Sequence, residues 1–167
     1  YMFKAVPGSD VSTSLQAALD KYKVVYIDEG YVISNSLDIQ SGGSLLGVQN
    51  AALKAANTRS GFLNTRGTYI DIRKKSQVRV AGIKFRPADN MVNMASYGNA
   101  VILISNSSNC IVEKNNFDFE FEYGKGMDAV WVTTGSNSNV ISDNYVKTLG
   151  ITYCENGSSY NRVENNR

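Results

Sequence analysis

Short apolar runs recur along the chain and are separated by Gly, Ser and Asn. Four segments can be aligned on their central apolar residue: SQVRVAGIKF (76–85), SSNCIVEKNNF (107–117), NSNVISDNYV (137–146) and YNRVENNR (160–167). The aligned residues are Val80, Val112, Ile141 and Val163, at steps of 32, 29 and 22 residues. Self-similarity at a period of a few tens of residues is typical of a solenoid.

A second column of identical residues follows the first one. Asn115, Asn144 and Asn166 each lie three residues after an apolar position of that column. Asn tolerates the left-handed backbone conformation of a sharp corner, and stacked Asn side chains can form hydrogen bonds along a ladder. The pattern therefore predicts a strand, a corner at Asn and another strand in each unit.

Each unit also contains an earlier strand. The segments TYIDI (68–72), AVILI (100–104), AVWV (129–132) and ITYC (151–154) are rich in β-branched and aromatic residues, which favour strands over helices. Aligned with the same steps, they place Ile70, Ile102, Trp131 and Tyr153 in one column. This column predicts that Trp131 lies in the core, with a sugar-stacking platform as the alternative.

One segment near the N-terminus has the period of a helix. In DVSTSLQAALDKY, the residues Leu15, Ala18, Leu19 and Tyr22 follow the spacing of one helical face. Thr13 and Gln16 have the spacing of a capping box. We predict one amphipathic helix of about ten residues here.

The order of elements after Tyr1 resembles a known family. An opening strand, the SLQAAL helix, the VVYIDEGYVI bend and the SGGSLLG corner resemble the N-terminal segment of pectate-lyase-type proteins and phage tailspikes in the pectin-lyase-like superfamily. The resemblance implies an all-β fold, a right-handed parallel β-helix (a solenoid) with an N-terminal capping α-helix. We expect one β-helix domain over residues 1–167, with the cap and first turn in 1–47 and successive coils in 48–167. Because the chain stops inside a unit, we expect a fragment of a longer protein; a partner subunit over the last coil, as in a homotrimer, is the alternative.

Composition restricts the chemistry. The net charge of +2 gives no support for nucleic acid or membrane partners, and no apolar run has the length of a transmembrane helix. The sequence contains no His, which excludes a Ser-His-Asp triad and a His-ligated zinc site, and it contains no phosphate-binding glycine motif. We expect Cys110 and Cys154 to be buried free thiols, with a disulfide between them as the alternative.

Two stretches lengthen the repeat and are expected to form surface loops, where the chemistry of a solenoid is found: 86–99 and 117–128. In the second stretch Phe117, Phe119 and Phe121 alternate with acidic residues, so an extended chain would bury the rings and align three carboxylates. Paired carboxylates at such spacing carry out glycoside hydrolysis, and crowding raises the pKa of at least one of them. The candidate catalytic residues are Asp118, Glu120 and Glu122, and the candidate substrate-binding residues beside them are Tyr123, Lys125 and Asp128.

Two readings compete with this hypothesis. An alternating strand with its polar face in water needs no function, and an acidic oxygen cluster also suits Ca²⁺, the one cofactor that the resemblance suggests. Arg73, Lys74, Lys75 and Arg79 form a basic cluster in the sequence, from which Arg73 and Arg79 are candidate ligands for an acidic polysaccharide. A solvated face with salt links is the alternative for this cluster.

The sequence thus predicts a polysaccharide-processing β-helix protein. Its most specific form is a tailspike-like depolymerase, a hydrolase or lyase acting on extended bacterial surface glycan outside the cell or on a virion. A non-catalytic glycan-binding or adhesion module and a structural fibre module are the alternatives.

Overall fold

The computed structural model describes residues 1–56, 68–88, 100–119, 128–147 and 150–167, without the side chains of 151–153. In chain order the described elements are α1 (Ser12–Lys21), β1 (Val24–Ile27), β2 (Gly30–Ile33), β3 (Leu37–Asp38), β4 (Ser44–Gly47), β5 (Ala52–Ala55), β6 (Ile70–Arg73), β7 (Arg79–Ala81), β8 (Lys84–Arg86), β9 (Ala100–Ser105), β10 (Ile111–Glu113), β11 (Asn116–Asp118), β12 (Asp128–Thr133), β13 (Val140–Ser142), β14 (Tyr145–Lys147), β15 (Gly150–Cys154) and β16 (Arg162–Glu164).

The strands form three parallel sheets. Sheet A has the order β1-β4-β7-β10-β13-β16, sheet B the order β2-β5-β8-β11-β14, and sheet C the order β3-β6-β9-β12-β15. Each strand pairs with the strand three places later, so three consecutive strands complete one coil and the coils stack about 4.8 Å apart. The prediction of an all-β parallel solenoid is confirmed, while the right-handed sense of the coil stays a prediction.

The apolar column predicted from the sequence lies in sheet A. Val112 pairs with Val80 on one side and with Ile141 on the other, and Ile141 pairs with Val163. Val80, Val112 and Ile141 are fully buried. Val163, on the last described strand of the sheet, is 44% exposed.

The asparagine column forms the predicted ladder. The Asn115 Nδ2 atom donates to Asn144 Oδ1 at 3.1 Å, and Asn144 Nδ2 donates to Asn166 Oδ1 at 2.9 Å. The left-handed residues of these corners are, however, the ones before each asparagine: Lys114, Asp143 and Asn165. Asparagine is therefore needed here for its hydrogen bonds rather than for its backbone conformation.

The predicted register of sheet C is confirmed for Ile70 with Ile102 and for Trp131 with Tyr153, but it was wrong by one residue between β9 and β12. Trp131 pairs with Leu103, and Val130 takes the place in the column of Ile102 that was expected for Trp131. The cause is one extra residue in the corner that follows β12, which spans 134–139, whereas the corner after β9 spans 106–110. Trp131 is consequently partly exposed rather than a core residue.

The N-terminal helix packs against the first coil. Leu15, Ala18 and Leu19 are buried against it, as expected for a cap over the interior of the coil. The predicted capping box is not formed, because Gln16 instead exchanges two hydrogen bonds of 2.9 Å with the backbone of Asp38 on β3. The start of the helix is fixed by Asp10, whose Oδ1 accepts hydrogen bonds from Ser12 N and Ser12 Oγ at 3.0 and 2.7 Å.

Both cysteines are free thiols. Cys110 is buried as predicted, but Cys154 is exposed at the end of β15. Within the part of the chain that the structure describes, no helix is long and apolar enough to cross a membrane.

Candidate functional site

The long connections of the solenoid all leave one edge, where sheet B passes into sheet C. The segments between β5 and β6, between β8 and β9 and between β11 and β12 are each longer than the two-residue corners that join β7 to β8 and β10 to β11. The stretches predicted as functional insertions, 86–99 and 117–128, fall in the chain between β8 and β9 and between β11 and β12, and their residues 89–99 and 120–127 lie outside the described residues. A carboxyl group lies on each side of the connection between β11 and β12, Asp118 before it and Asp128 after it.

Asp118 lies at the end of β11 on the outer face of sheet B. The alternation predicted for this segment is confirmed over its described part, because Phe117 and Phe119 are fully buried. The Asp118 Oδ2 atom is 2.8 Å from Lys84 Nζ on β8. The hydrogen bond from Lys84 lowers the pKa of Asp118 below its ordinary value, and the charges of Lys84, Lys147 and Arg86 add to that effect. Asp118 is therefore a stable carboxylate rather than a proton donor.

Asp128 is the first residue of β12 and has a different environment. It is half-buried, and burial raises the pKa of its carboxyl group. Its strand partners are Ala100 and Gly150. A Cβ atom at Gly150 would lie 2.2 Å from Asp128 Oδ1, so glycine there leaves room for the carboxyl group. Among the described residues, none forms a hydrogen bond or an ion pair with the Asp128 side chain.

Two carboxyl groups at one edge thus have pKa values shifted in opposite directions. Such divergence separates a proton donor from a group that stays ionised, as general acid–base chemistry requires. Asp128 suits the first role and Asp118 the second. The sequence analysis placed Asp118 among the catalytic candidates and Asp128 among the substrate-binding ones. The opposite pKa shifts come from Lys84 on a neighbouring coil and from the burial of Asp128.

The outer face of sheet B is rich in cations. In the strand register, Lys54 on β5 lies opposite Arg86 on β8, and Asp118 on β11 lies opposite Lys147 on β14. Lys84, Asn116 and Tyr145 lie opposite one another on β8, β11 and β14 and form a second row of side chains beside these four residues. The Tyr145 side chain is 50% exposed, so its ring is accessible to a ligand. Sequence reasoning missed this surface because its charges come from four different coils.

Arg73 and Arg79 do not lie on one surface. Arg73 ends β6 in sheet C and donates to Asp71 at 2.9 Å, whereas Arg79 begins β7 in sheet A and donates through Nε to Glu113 at 2.8 Å. Lys75 Nζ lies 3.2 Å from Asp38. Three of the four residues of the basic cluster, Arg73, Lys75 and Arg79, are therefore held in separate salt links, in line with the alternative reading. Arg73 nevertheless borders a cleft of about 310 Å³ on sheet C.

Four candidate residues stay predictions. Glu120, Glu122, Tyr123 and Lys125 lie outside the described residues. Over the described ranges, no three acidic or cysteine side chains form a group that could hold a metal ion. The Trp131 Nε1 atom is buried and has no hydrogen-bond partner there.

Comparison with known proteins gives one kind of match. No protein-family model matches the chain, and no curated protein does. The chain is similar to the crystal structure of a candidate glycosyl hydrolase from Parabacteroides merdae, with a TM-score of 0.69 and 13% sequence identity. The similarity covers 100% of this chain and 96% of that one. At this level of identity the match shows a common fold.

Proposed function

We propose that this protein hydrolyses an extended polysaccharide at the edge between sheets B and C. The observation that carries the proposal is the pair Asp118 and Asp128, whose pKa values are shifted in opposite directions on the two sides of one connection. The glycosyl hydrolase assignment of the Parabacteroides merdae protein supports the same reaction class.

In this reaction Asp128 donates its proton to the oxygen of the glycosidic bond that is broken. Burial raises the pKa of Asp128, which favours the protonated form that a general acid needs, and protonation of the leaving oxygen spares the sugar an unstable alkoxide. Asp118, held as an anion by Lys84, either activates a water molecule or attacks the anomeric carbon itself. A short separation of the two carboxyl groups on substrate binding would retain the anomeric configuration, and a longer one would invert it.

Elimination has weaker support than hydrolysis. A polysaccharide lyase of this kind would need a basic side chain facing the substrate. The two arginines that the sequence analysis gave as ligands for an acidic polysaccharide are engaged by Asp71 and Glu113. The specific form that we propose to test is a tailspike-like depolymerase of the pectin-lyase-like superfamily. It would act on bacterial surface glycan outside the cell or on a virion.

A non-catalytic glycan-binding module is the second candidate. It is favoured by one observation, the ion pair that engages Asp118 with Lys84. In a binding module this pair only shapes the surface, and neutral variants of both carboxyl groups would bind glycan as the wild type does.

The test is a turnover assay on acidic and neutral bacterial polysaccharides, with reducing ends and unsaturated-uronate absorbance measured in the same tubes. We expect new reducing ends without absorbance. Asp128→Asn should lower the rate by about 10²- to 10⁴-fold, because it removes the proton donor. Asp143→Asn is the matched control, since Asp143 is exposed at another corner.

Three outcomes would contradict hydrolysis by these residues. Uronate absorbance would indicate elimination, binding without turnover would indicate a binding module, and equal rates for the Asp128→Asn and Asp143→Asn variants would remove Asp128 from the mechanism.

A further inference from the structure

A second cleft, of about 440 Å³, lies on the other edge of sheet B, where sheet A passes into it. It spans the second, third and fourth coils. Its polar lining comes from the corners of the second and fourth coils and from the outer faces of β8 and β11. These residues are Gln49, Asn50, Lys84, Arg86, Lys114 and Asn116.

The cleft lies beside the end of the asparagine ladder. Asn115 is its last member in this direction, and its Oδ1 atom accepts a hydrogen bond from the backbone N–H of Ile83 at 3.0 Å. In the second coil, the corner between sheets A and B spans residues 48–51. It is longer than the two-residue corners at the same place in the later coils. Gly47 and Gly82 bring the two backbones into contact beneath it, since a Cβ atom at Gly82 would lie 2.5 Å from Gly47 O.

Among the residues that the structure describes, three cations and no carboxylate line the cleft. Lys84 is hydrogen-bonded to Asp118. Arg86 and Lys114 are exposed and form no ion pair with any residue that the structure describes. This arrangement leaves two cationic groups available to an anion from solution.

The cleft also offers groups suited to sugar hydroxyls. The Asn116 Oδ1 atom is buried and has no hydrogen-bond partner among the described residues. A buried acceptor without a partner is costly, and a ligand hydroxyl could satisfy it. Gln49 and Asn50 also line the cleft and carry amide groups.

We propose that this cleft is a subsite for an acidic sugar, with the carboxylate or sulfate bound by Arg86 and Lys114 and a hydroxyl bound by Asn116. The inference rests on the proposed glycan hydrolysis for the nature of the ligand, and it adds the substrate class, an acidic polysaccharide. Lys84 joins this subsite to Asp118, so a glycan seated in the cleft extends across the outer face of sheet B toward the carboxyl pair.

Calorimetric titration of the full chain tests the proposal. The chain carries Asp128→Asn so that the ligand is not consumed. The probes are a uronic-acid oligosaccharide, its carboxyl-reduced neutral counterpart, a sulfated oligosaccharide and inorganic sulfate. We expect at least one acidic oligosaccharide to bind about tenfold more tightly than the neutral one.

Two variants of the Asp128→Asn chain test the cleft, one with Lys114→Gln and one with Arg86→Gln. Each should weaken binding of the acidic oligosaccharide about tenfold and leave the neutral one unchanged. Glutamine fits position 114, because Gln49 and Gln77 adopt the same left-handed conformation. Lys23→Gln, an exposed lysine outside the cleft, is the matched control and should have no effect. Unchanged thermal melting shows that the variants are folded.

Equal affinity for acidic and neutral oligosaccharides would overturn the subsite, as would an acidic preference that both cleft variants retain. Binding of inorganic sulfate without any acidic oligosaccharide would also overturn it. Hydrolysis of neutral glycans with no acidic preference would remove the subsite and leave the proposed hydrolysis intact. Charge-dependent binding without turnover by the wild-type chain would overturn the proposed hydrolysis and leave the subsite intact.

Discussion

Lys84 and Asp118 form an ion pair across adjacent strands of sheet B, with Nζ 2.8 Å from Oδ2. Lys84 lines the cleft at one edge of the sheet, and Asp118 borders the long connection at the other edge. The pair therefore couples two surfaces that the proposed function assigns to one substrate. It also holds the pKa of Asp118 below its ordinary value.

Replacement of Lys84 by Gln should raise the pKa of Asp118 toward its ordinary value, because the hydrogen bond and the nearest positive charge are both lost. A carbon-detected NMR titration of the Asp118 carboxyl group measures this change. Both side chains are about one-third exposed, so we expect a loss of at most about 1 kcal/mol in the free energy of unfolding at neutral pH. The folded pKa of Asp118 is depressed, so this contribution is present at pH above 3.8 and is lost as the pH falls through the folded value. An unchanged Asp118 titration in the variant would contradict the pairing.

The pH dependence of turnover should follow the two carboxyl groups. Activity requires ionised Asp118 and protonated Asp128. It should therefore fall in acid below pH 3.8, where Asp118 takes up a proton, and fall again above that pH as Asp128 loses its own. The Lys84→Gln substitution should move only the acid limb, and it should move it upward. A profile whose alkaline limb is unchanged by Asp128→Asn would show that another group donates the proton.

Substitution of Gly150 by Ala tests the position of Asp128 without changing its chemistry. The added Cβ would lie 2.2 Å from Asp128 Oδ1, and the carboxyl group must move because it is the flexible end of the side chain. We expect a folded variant with turnover reduced about 10²-fold, the usual cost of a misplaced catalytic group. The matched substitution is Gly30→Ala, because a Cβ atom there meets its nearest neighbour at 3.8 Å. Full activity of the Gly150→Ala variant would exclude Asp128 from the reacting groups.

Asn144 should contribute strongly to stability although it is polar. Its Oδ1 accepts from Asn115 N at 3.0 Å, and its Nδ2 donates to Val112 O at 3.0 Å. The Asn144→Ala substitution leaves these buried backbone groups without partners and should cost about 2 to 4 kcal/mol of unfolding free energy, measured by urea denaturation. Asn137→Ala is the control, because Asn137 is exposed and should cost under about 0.5 kcal/mol. Similar losses in the two variants would show that the ladder adds no stability.

The columns of sheet A could be predicted from the sequence for a simple geometric reason. The corners between sheets A and B in the third, fourth and fifth coils are all two residues long, so the apolar residues stay in register and Asn115 and Asn144 follow theirs at the same distance. The same logic failed for Trp131, because the corner after β12 has one residue more than the corner after β9. In a strand, a slip of one residue exchanges the two faces.

The candidate site was predictable only in part. The alternation of Phe117, Asp118 and Phe119 is local, and it correctly placed Asp118 on an outer face. The properties that separate Asp118 from Asp128 are not local. They depend on Lys84, a residue of a neighbouring coil, and on the burial of Asp128 in the folded chain. Charged residues that are brought together by the stacking of coils cannot be recognised as a group from the sequence of any single repeat.

Val112 provides the most direct test of the stacked core. Its side chain is fully buried between Val80 and Ile141, so Val112→Asp places a charge where no partner exists in this column. The expected loss exceeds about 4 kcal/mol, a large part of the stability of a typical domain, and should prevent folding. Ile111→Asp is the control, since Ile111 is only partly buried and pairs with Arg79, which can compensate the new charge. Thermal melting followed by circular dichroism distinguishes the two variants. If Val112→Asp melted like the wild type, the column of Val80, Val112 and Ile141 would have to face solvent, which would contradict its place in the core of the solenoid.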